Sequence, residues 1–164
     1  MKRKKVVSKT IPLSHPFYTL PPFLEGVISV TDYRHWLENR GTVLRQTDIK
    51  LKRPYGKLNS TMAYKQKIHQ AVLDGGQFDP FTGEKINWGL ITEDKTEEKG
   101  NFIDNGYAMY PAVDHINPEE FGFEICSWIS NESKACMTPD QFVDFCRKVT
   151  KFRGQGEKAS HRKL

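Results

Sequence analysis

Cysteine is scarce in this chain and is not paired. Cys126, Cys136 and Cys146 are odd in number and form no Cys-x-x-Cys. That excludes a disulfide framework and a four-cysteine zinc knuckle, so no structural zinc is expected. Cys136 and Cys146 read as small buried apolar residues. Long apolar runs are also absent, since none approaches the ~18–20 residues of a membrane span. The basic residues 1–5 are followed by no apolar core of signal-peptide type, which points to a cytoplasmic protein with no membrane partner. No internal repeat is visible.

What is present suffices for one domain with tails: 164 residues, 37% hydrophobic and 12% aromatic. The net charge of +5 conceals a division. Residues 1–9 carry five basic groups and no acidic one, and residues 147–164 carry seven basic groups against Glu157. Between Arg45 and Lys67 stand seven basic residues and only Asp48, whereas residues 74–144 hold fifteen acidic and four basic residues. An acidic region acting on a polyanion needs a metal and a basic surface brought from elsewhere. The alternative is that the charge runs are solvated tails and faces.

Pro12, Pro16, Pro21 and Pro22 mark residues 1–29 as a basic, proline-rich, extended arm. Thr31 reads as the N-cap of a helix over 32–40 that Gly41 ends. Residues 51–57 have turn chemistry and read as an exposed basic loop. A second helix starts at 59–61 and runs to Leu73, with Tyr64, Ile68, Ala71 and Val72 as its apolar stripe and Gly75-Gly76 as its stop. A tight turn over 78–84, a strand over 86–91 and an acidic loop over 92–106 follow. Strands are expected over 109–113 and 123–128. Thr138-Pro-Asp-Gln141 is a capping box that opens a last helix. Its Phe142, Val143, Phe145, Cys146 and Val149 should face inward, and it should end near Phe152, before Gly154 and a basic tail over 153–164.

The chemistry lies in Asp114-His115, at the end of one apolar run, and in Asn131, sixteen residues beyond His115 and past another run. A carboxylate and a carboxamide suit a hard divalent ion, and an imidazole titrating at about 6.5 suits proton transfer near neutrality. The plainer reading is a strand end where the aspartate caps a turn and the histidine packs.

The pattern Asp114-His115-Ile116-x-Pro118, then Ile125-Cys126, then Asn131-x-x-Lys134, then Thr138-Pro139-x-x-Phe142 resembles the HNH nucleases of the His-Me finger group. The resemblance extends to HNH-like proteins of bacteria and phages through Tyr64-Lys65, Ile68-His69-x-Ala71-Val72, the 79–84 turn, Trp88 and Cys126-Ser127-Trp128. It covers residues 30–152. It implies an α+β domain with a ββα-metal core at about 108–137 and additional N-terminal helices. It further implies a metal-dependent endonuclease acting on DNA, with RNA not excluded. Asp114 and Asn131 would bind one divalent cation, Mg²⁺ or else Mn²⁺, and His115 would be the general base.

The chain departs from that pattern. The middle asparagine that braces the histidine loop is replaced by Gly122 or Phe123, with Asn117 as its candidate substitute. Zinc-binding cysteines are missing, so packing of Phe81, Trp88, Trp128 and Phe142 is expected to hold the core. A non-catalytic nucleic-acid-binding module on the same scaffold is the rival reading, and a homodimer is open to either. Arg45, Lys50, Lys52, Arg53, Lys57 and Lys134 are the phosphate-contact candidates. Lys134 reads equally as an exposed helix lysine, Tyr55 as a base-stacking or loop-packing ring, and Glu124 as facing either the site or, by preference, solvent. His69 is a structural or accessory histidine.

Overall fold

The computed structural model describes residues 19–92 and 107–160, with side chains through Arg153. Most of the proline-rich arm, most of the acidic loop and the end of the tail lie outside the described residues. The elements are α1 (Val30–Lys50), α2 (Thr61–Gly75), β1 (Pro111–His115), β2 (Phe123–Ser127), α3 (Trp128–Lys134) and α4 (Pro139–Ser160). The architecture is mixed α+β: β1 and β2 pair antiparallel, and α1 and α2 pack together against one face of the hairpin.

Helix α1 is twice as long as its sequence signals suggest. Its N-cap is Ser29, whose hydroxyl accepts from the Asp32 amide, and the helix runs through Gly41 to Lys50. Gly41 serves packing instead of termination. A Cβ there would come 2.6 Å from Lys65 Cγ, so the missing side chain lets α2 lie close. Helix α2 follows expectation, with Ser60 as N-cap, Gly76 as C-cap, and Tyr64, Ile68, Ala71 and Val72 buried.

The expected strand over 86–91 does not form. Phe78 and Lys85 make an isolated bridge, and Trp88–Thr92 turn as a 3-10 helix. The Trp88 indole donates to the Gly76 carbonyl at 2.7 Å, which draws this segment onto the end of α2 instead of into a sheet. The arm is not wholly extended either. Pro22–Leu24 form a 3-10 turn, and Leu24 and Ile28 join the core.

The core is rich in rings. Tyr33, Trp36, Trp88, Tyr64 and Phe123 are buried, and Trp36 meets Trp88 edge-on at 4.9 Å. The anticipated anchor of Phe81, Trp88, Trp128 and Phe142 is only partly realised, since Trp88 alone of these four is in the buried core. A carboxylate does the remaining work. Asp79 accepts from the Phe81 and Thr82 amides in its own turn and from the Ser127 amide at 2.6 Å, tying that turn to the β2–α3 junction. Burial pushes the Asp79 carboxyl up, but these hydrogen bonds outweigh it and hold it below the usual range.

His69 is a core residue. Its Nδ1 lies 2.7 Å from the Tyr33 hydroxyl, which stays protonated because burial raises its pKa. Burial also pushes His69 below the ordinary imidazole value. Its folded pKa therefore lies under its unfolded one, so the contribution to stability is present above about pH 6.5 and is lost as pH falls toward the folded value. Urea midpoints should drop across that interval in the wild type, and His69→Gln should flatten the drop. An unchanged slope would show that His69 carries none of it.

Candidate active site

Strand alternation sorts the two neighbours at the end of β1. Val113 and His115 face the helical layer, whereas Ala112 and Asp114 face away from it. The register confirms the pairing, with His115 opposite Phe123 and Asp114 opposite Glu124. The two groups that the sequence places side by side thus enter different surroundings.

His115 meets a buried carboxylate that the sequence reading passed over. Asp48, 0% exposed near the end of α1, accepts from the Tyr64 hydroxyl at 2.8 Å and from Arg53 Nη1 at 2.7 Å. His115 Nε2 lies 3.1 Å from Asp48 Oδ2. Arg53 Nη1 approaches both ring nitrogens, at 2.7 Å from Nε2 and 3.0 Å from Nδ1. A proton on Nε2 lets it donate to Asp48 and leaves Nδ1 to accept from Arg53, but it sets donor against donor in the 2.7 Å approach of Arg53 to Nε2. Burial pushes the Asp48 carboxyl up, but the His115 hydrogen bond and charge, the Tyr64 hydroxyl and the Arg53 charge outweigh it, and the net shift is downward.

The loop that delivers Arg53 is fixed to α1 by close approach. Lys52 takes a positive φ of 58°, and the Arg53 amide bonds to the Asp48 carbonyl at 2.9 Å. Gly56 lies so near that a Cβ would come 2.9 Å from the Asp48 carbonyl carbon and the Ile49 nitrogen. Tyr55 packs on the site instead of standing free: it is buried, 6.2 Å from the His115 ring, and its hydroxyl donates to the Pro118 carbonyl at 3.0 Å. Lys50, Lys52 and Lys57 are exposed around it, and Arg45 Nε bonds to the Asn59 carbonyl. The segment is therefore only partly the exposed basic loop expected from sequence.

On the other face of the hairpin, Lys134 is 0% exposed, which overturns the exposed-lysine reading. Its ammonium lies 2.9 Å from Asp114 Oδ2 and donates to the His115 carbonyl at 2.8 Å. Contact with a phosphate would require that pair to open. Burial raises the Asp114 carboxyl, and Lys134 lowers it only in part. Glu124 does not face open solvent. It is half-buried across from Asp114, its Oε1 is buried with no hydrogen-bond partner among the described residues, and burial and then Asp114 push its carboxyl up.

Asn131 sits in the middle of α3 and not at its start, because Ser127 already caps that helix through the Ser130 amide. It lines a cavity of about 170 Å³ together with Arg40, Tyr110, Ala112, Trp128 and Glu132. Val113 and the α1 residues Val43 and Leu44 line the same cavity, so it opens at the edge between the hairpin and α1, and Asp114 is not among its lining residues. Asn117 does not brace His115. Its amide closes the following turn, bonding to the Glu119 amide and the Glu120 carboxylate. Among the described residues, no group of three or more His, Cys, Asp or Glu is gathered as a metal cluster.

No protein-family model, curated protein or solved structure matches the chain.

Removing one partner of a buried ion pair strands the other. Lys134→Met should therefore destabilise the fold by about 3–5 kcal/mol, and adding Asp114→Asn should return much of the loss. Urea unfolding of the two variants measures this. A Lys134→Met protein as stable as wild type would mean that the ammonium carries none of the hairpin–α3 junction.

Proposed function

We propose that the protein is a divalent-metal-dependent endonuclease of the His-Me finger type, hydrolysing phosphodiester bonds in DNA with His115 as general base. The observation that carries this reading is the buried Asp48 carboxylate on the imidazole. A base needs an orienting partner that also steadies the charge it gains, and a carboxylate on one ring nitrogen supplies both. With Nε2–H held by Asp48, Nδ1 is the nitrogen that takes a proton from water. Arg53 faces both ring nitrogens and belongs to the basic loop, so a phosphate drawing the guanidinium outward would uncover the base.

The order β1, β2, α3 supports the ββα core that the sequence resemblance implies. Asp114 and Asn131 would hold the cation, with Glu124 beside Asp114. The fit rests on placement: Asp114 and Glu124 stand opposite each other on β1 and β2, with the Lys134 ammonium on Asp114 and with Glu124 Oε1 lacking a hydrogen-bond partner among the described residues. A bound Mg²⁺ or Mn²⁺ would supply stabilisation of charge on the phosphate and leaving oxygens. Lys50, Lys52, Lys57 and Arg45 would track the nucleic-acid backbone.

One observation favours the rival, a nucleic-acid-binding module without catalysis. Both intended active groups are already partnered within the chain, His115 by Arg53 and Asp114 by Lys134.

Plasmid nicking with Mg²⁺ or Mn²⁺ separates the readings. His115→Ala should abolish nicking while the fold and DNA affinity persist. Asp48→Asn should slow it by about a hundredfold or more, because the imidazole loses the carboxylate that orients it. Wild-type nicking by His115→Ala would remove the base from the mechanism, and binding without nicking by the wild type would establish the rival. Each of Lys50→Gln, Lys52→Gln and Lys57→Gln should weaken DNA binding and reduce the salt slope by about one. An unchanged slope would place the nucleic acid elsewhere.

A further inference from the structure

The apolar side of α4 stays uncovered where sequence periodicity points it inward. Val143, Phe145, Val149 and Phe152 are exposed, and so are Cys136 and Cys146, which read as buried. The helix also continues past Phe152 and through Gly154 to Ser160, where the sequence suggested an end. Such a face specifies no ligand. The cavity between α1 and the hairpin edge does, because its polar groups are placed and not yet satisfied.

That cavity measures about 170 Å³, well above the ~30 Å³ of one water and below the ~300 Å³ where sites for drug-sized molecules begin. Leu44, Val113 and Trp128 give it apolar walls. Two opposite charges line it as well, Arg40 from α1 and Glu132 from α3, yet they form no ion pair with each other. Arg40 Nη2 donates to the Tyr110 hydroxyl at 2.9 Å, and the guanidinium carbon lies 5.2 Å from the centre of that ring. Arg40 Nε is buried with no hydrogen-bond partner among the described residues. A half-buried guanidinium with unused donors calls for an acceptor. The Tyr110 hydroxyl accepts from Arg40 and so keeps its own proton to give.

The occupant must therefore present acceptors toward Arg40 and Tyr110 and donors toward Glu132. A simple anion meets the first demand, but the Glu132 carboxylate repels it. Guanine meets both: O6 and N7 are adjacent acceptors suited to a guanidinium, and N1–H and the N2 amine are adjacent donors suited to a carboxylate. Adenine sets its N6 amine against the guanidinium, and cytosine and thymine lack the adjacent pair of donors. The Trp128 ring offers the flat surface on which a base stacks. Arg40 stands ten residues before Lys50 on α1, about 15 Å along the helix axis, which a strand held on the basic loop can span.

We propose that this cavity is a guanine-binding pocket, in which Arg40 and Tyr110 donate to O6 and N7, Glu132 accepts from N1–H and the N2 amine, and Trp128 flanks the ring. The base belongs to a single strand whose phosphates lie on Lys50, Lys52 and Lys57, and only this source rests on the function proposed above. Asn131 also lines the cavity and takes no part in the recognition.

Fluorescence anisotropy of the full chain with short labelled oligothymidine strands tests this, in EDTA so that cleavage plays no part. One central position carries guanine, adenine, inosine (no N2 amine) or 7-deazaguanine (no N7). The guanine strand should bind about tenfold or more tightly than the adenine strand, and each analogue should lose much of that gain. Glu132→Gln, at an exposed position, should erase the preference for guanine over inosine and leave the salt slope unchanged. Arg40→Gln should erase the preference for guanine over 7-deazaguanine, and Glu132→Gln still decides if that variant fails to fold. Unlabelled GMP added as competitor separates the sources: displacement at the strand's own affinity assigns the pocket to a free nucleotide, and far weaker displacement assigns it to the strand. Equal binding of guanine and adenine strands overturns the pocket while leaving the nuclease reading intact. A guanine preference that survives Glu132→Gln unchanged, or no binding of either strand or GMP, overturns it too.

Discussion

One buried carboxylate constrains this structure more than any other group. Asp48 has no exposure, and a charge so placed costs several kcal/mol unless donors surround it. The donors come from three separate segments: Arg53 on the loop after α1, Tyr64 on α2 and His115 at the end of β1. Satisfying Asp48 therefore fixes the loop, the helix pair and the hairpin relative to one another. Gly56 makes the loop's part achievable, because only a residue without Cβ can lie against the Asp48–Ile49 peptide.

A second constraint follows from the period of a β-strand. Adjacent residues at the end of β1 leave the strand on opposite faces, so Asp114 and His115 meet different partners. Each meets its own charged partner. His115 is locked from the helical side by Arg53 and Asp48, and Asp114 from the α3 side by Lys134, whose ammonium also holds the His115 carbonyl. Lys134 thus couples the faces through the backbone: moving it disturbs both the carboxylate and the peptide that carries the imidazole.

Much of the layout was legible because local signals decide it. Ser60 and the glycines around α2, the Thr138–Gln141 capping box and the alternation of the hairpin each act within a few residues; the Gln141 carboxamide accepts from the Thr138 amide at 2.9 Å, as the motif requires. What stayed hidden depends on distant chain. Gly41 reads as a stop until Lys65 is known to pack against it. Asp48 looks like one acid in a basic run because its histidine partner is 67 residues away. Lys134 reads as a surface lysine because nothing nearby reveals the buried Asp114 that claims it. The exposed row on α4 was misread for the opposite reason: periodicity reports that a face is apolar, not that the same chain covers it.

The charge division of the sequence finds its physical meaning at Arg53. The basic loop and the acidic half of the chain meet there, one guanidinium standing between Asp48 and His115. An arginine fork offers five N–H donors, more than those two groups take, and it matches the geometry of a phosphate. Under the proposed function, a nucleic-acid phosphate approaching Lys50, Lys52 and Lys57 would engage the fork without first breaking the Asp48 contact. Asp48 in turn limits how far the guanidinium swings, since a complete departure would leave a buried carboxylate with only Tyr64 and His115. Under that same reading, the pairing that occupies the imidazole in the free protein would tie its release to the arrival of a polyanion.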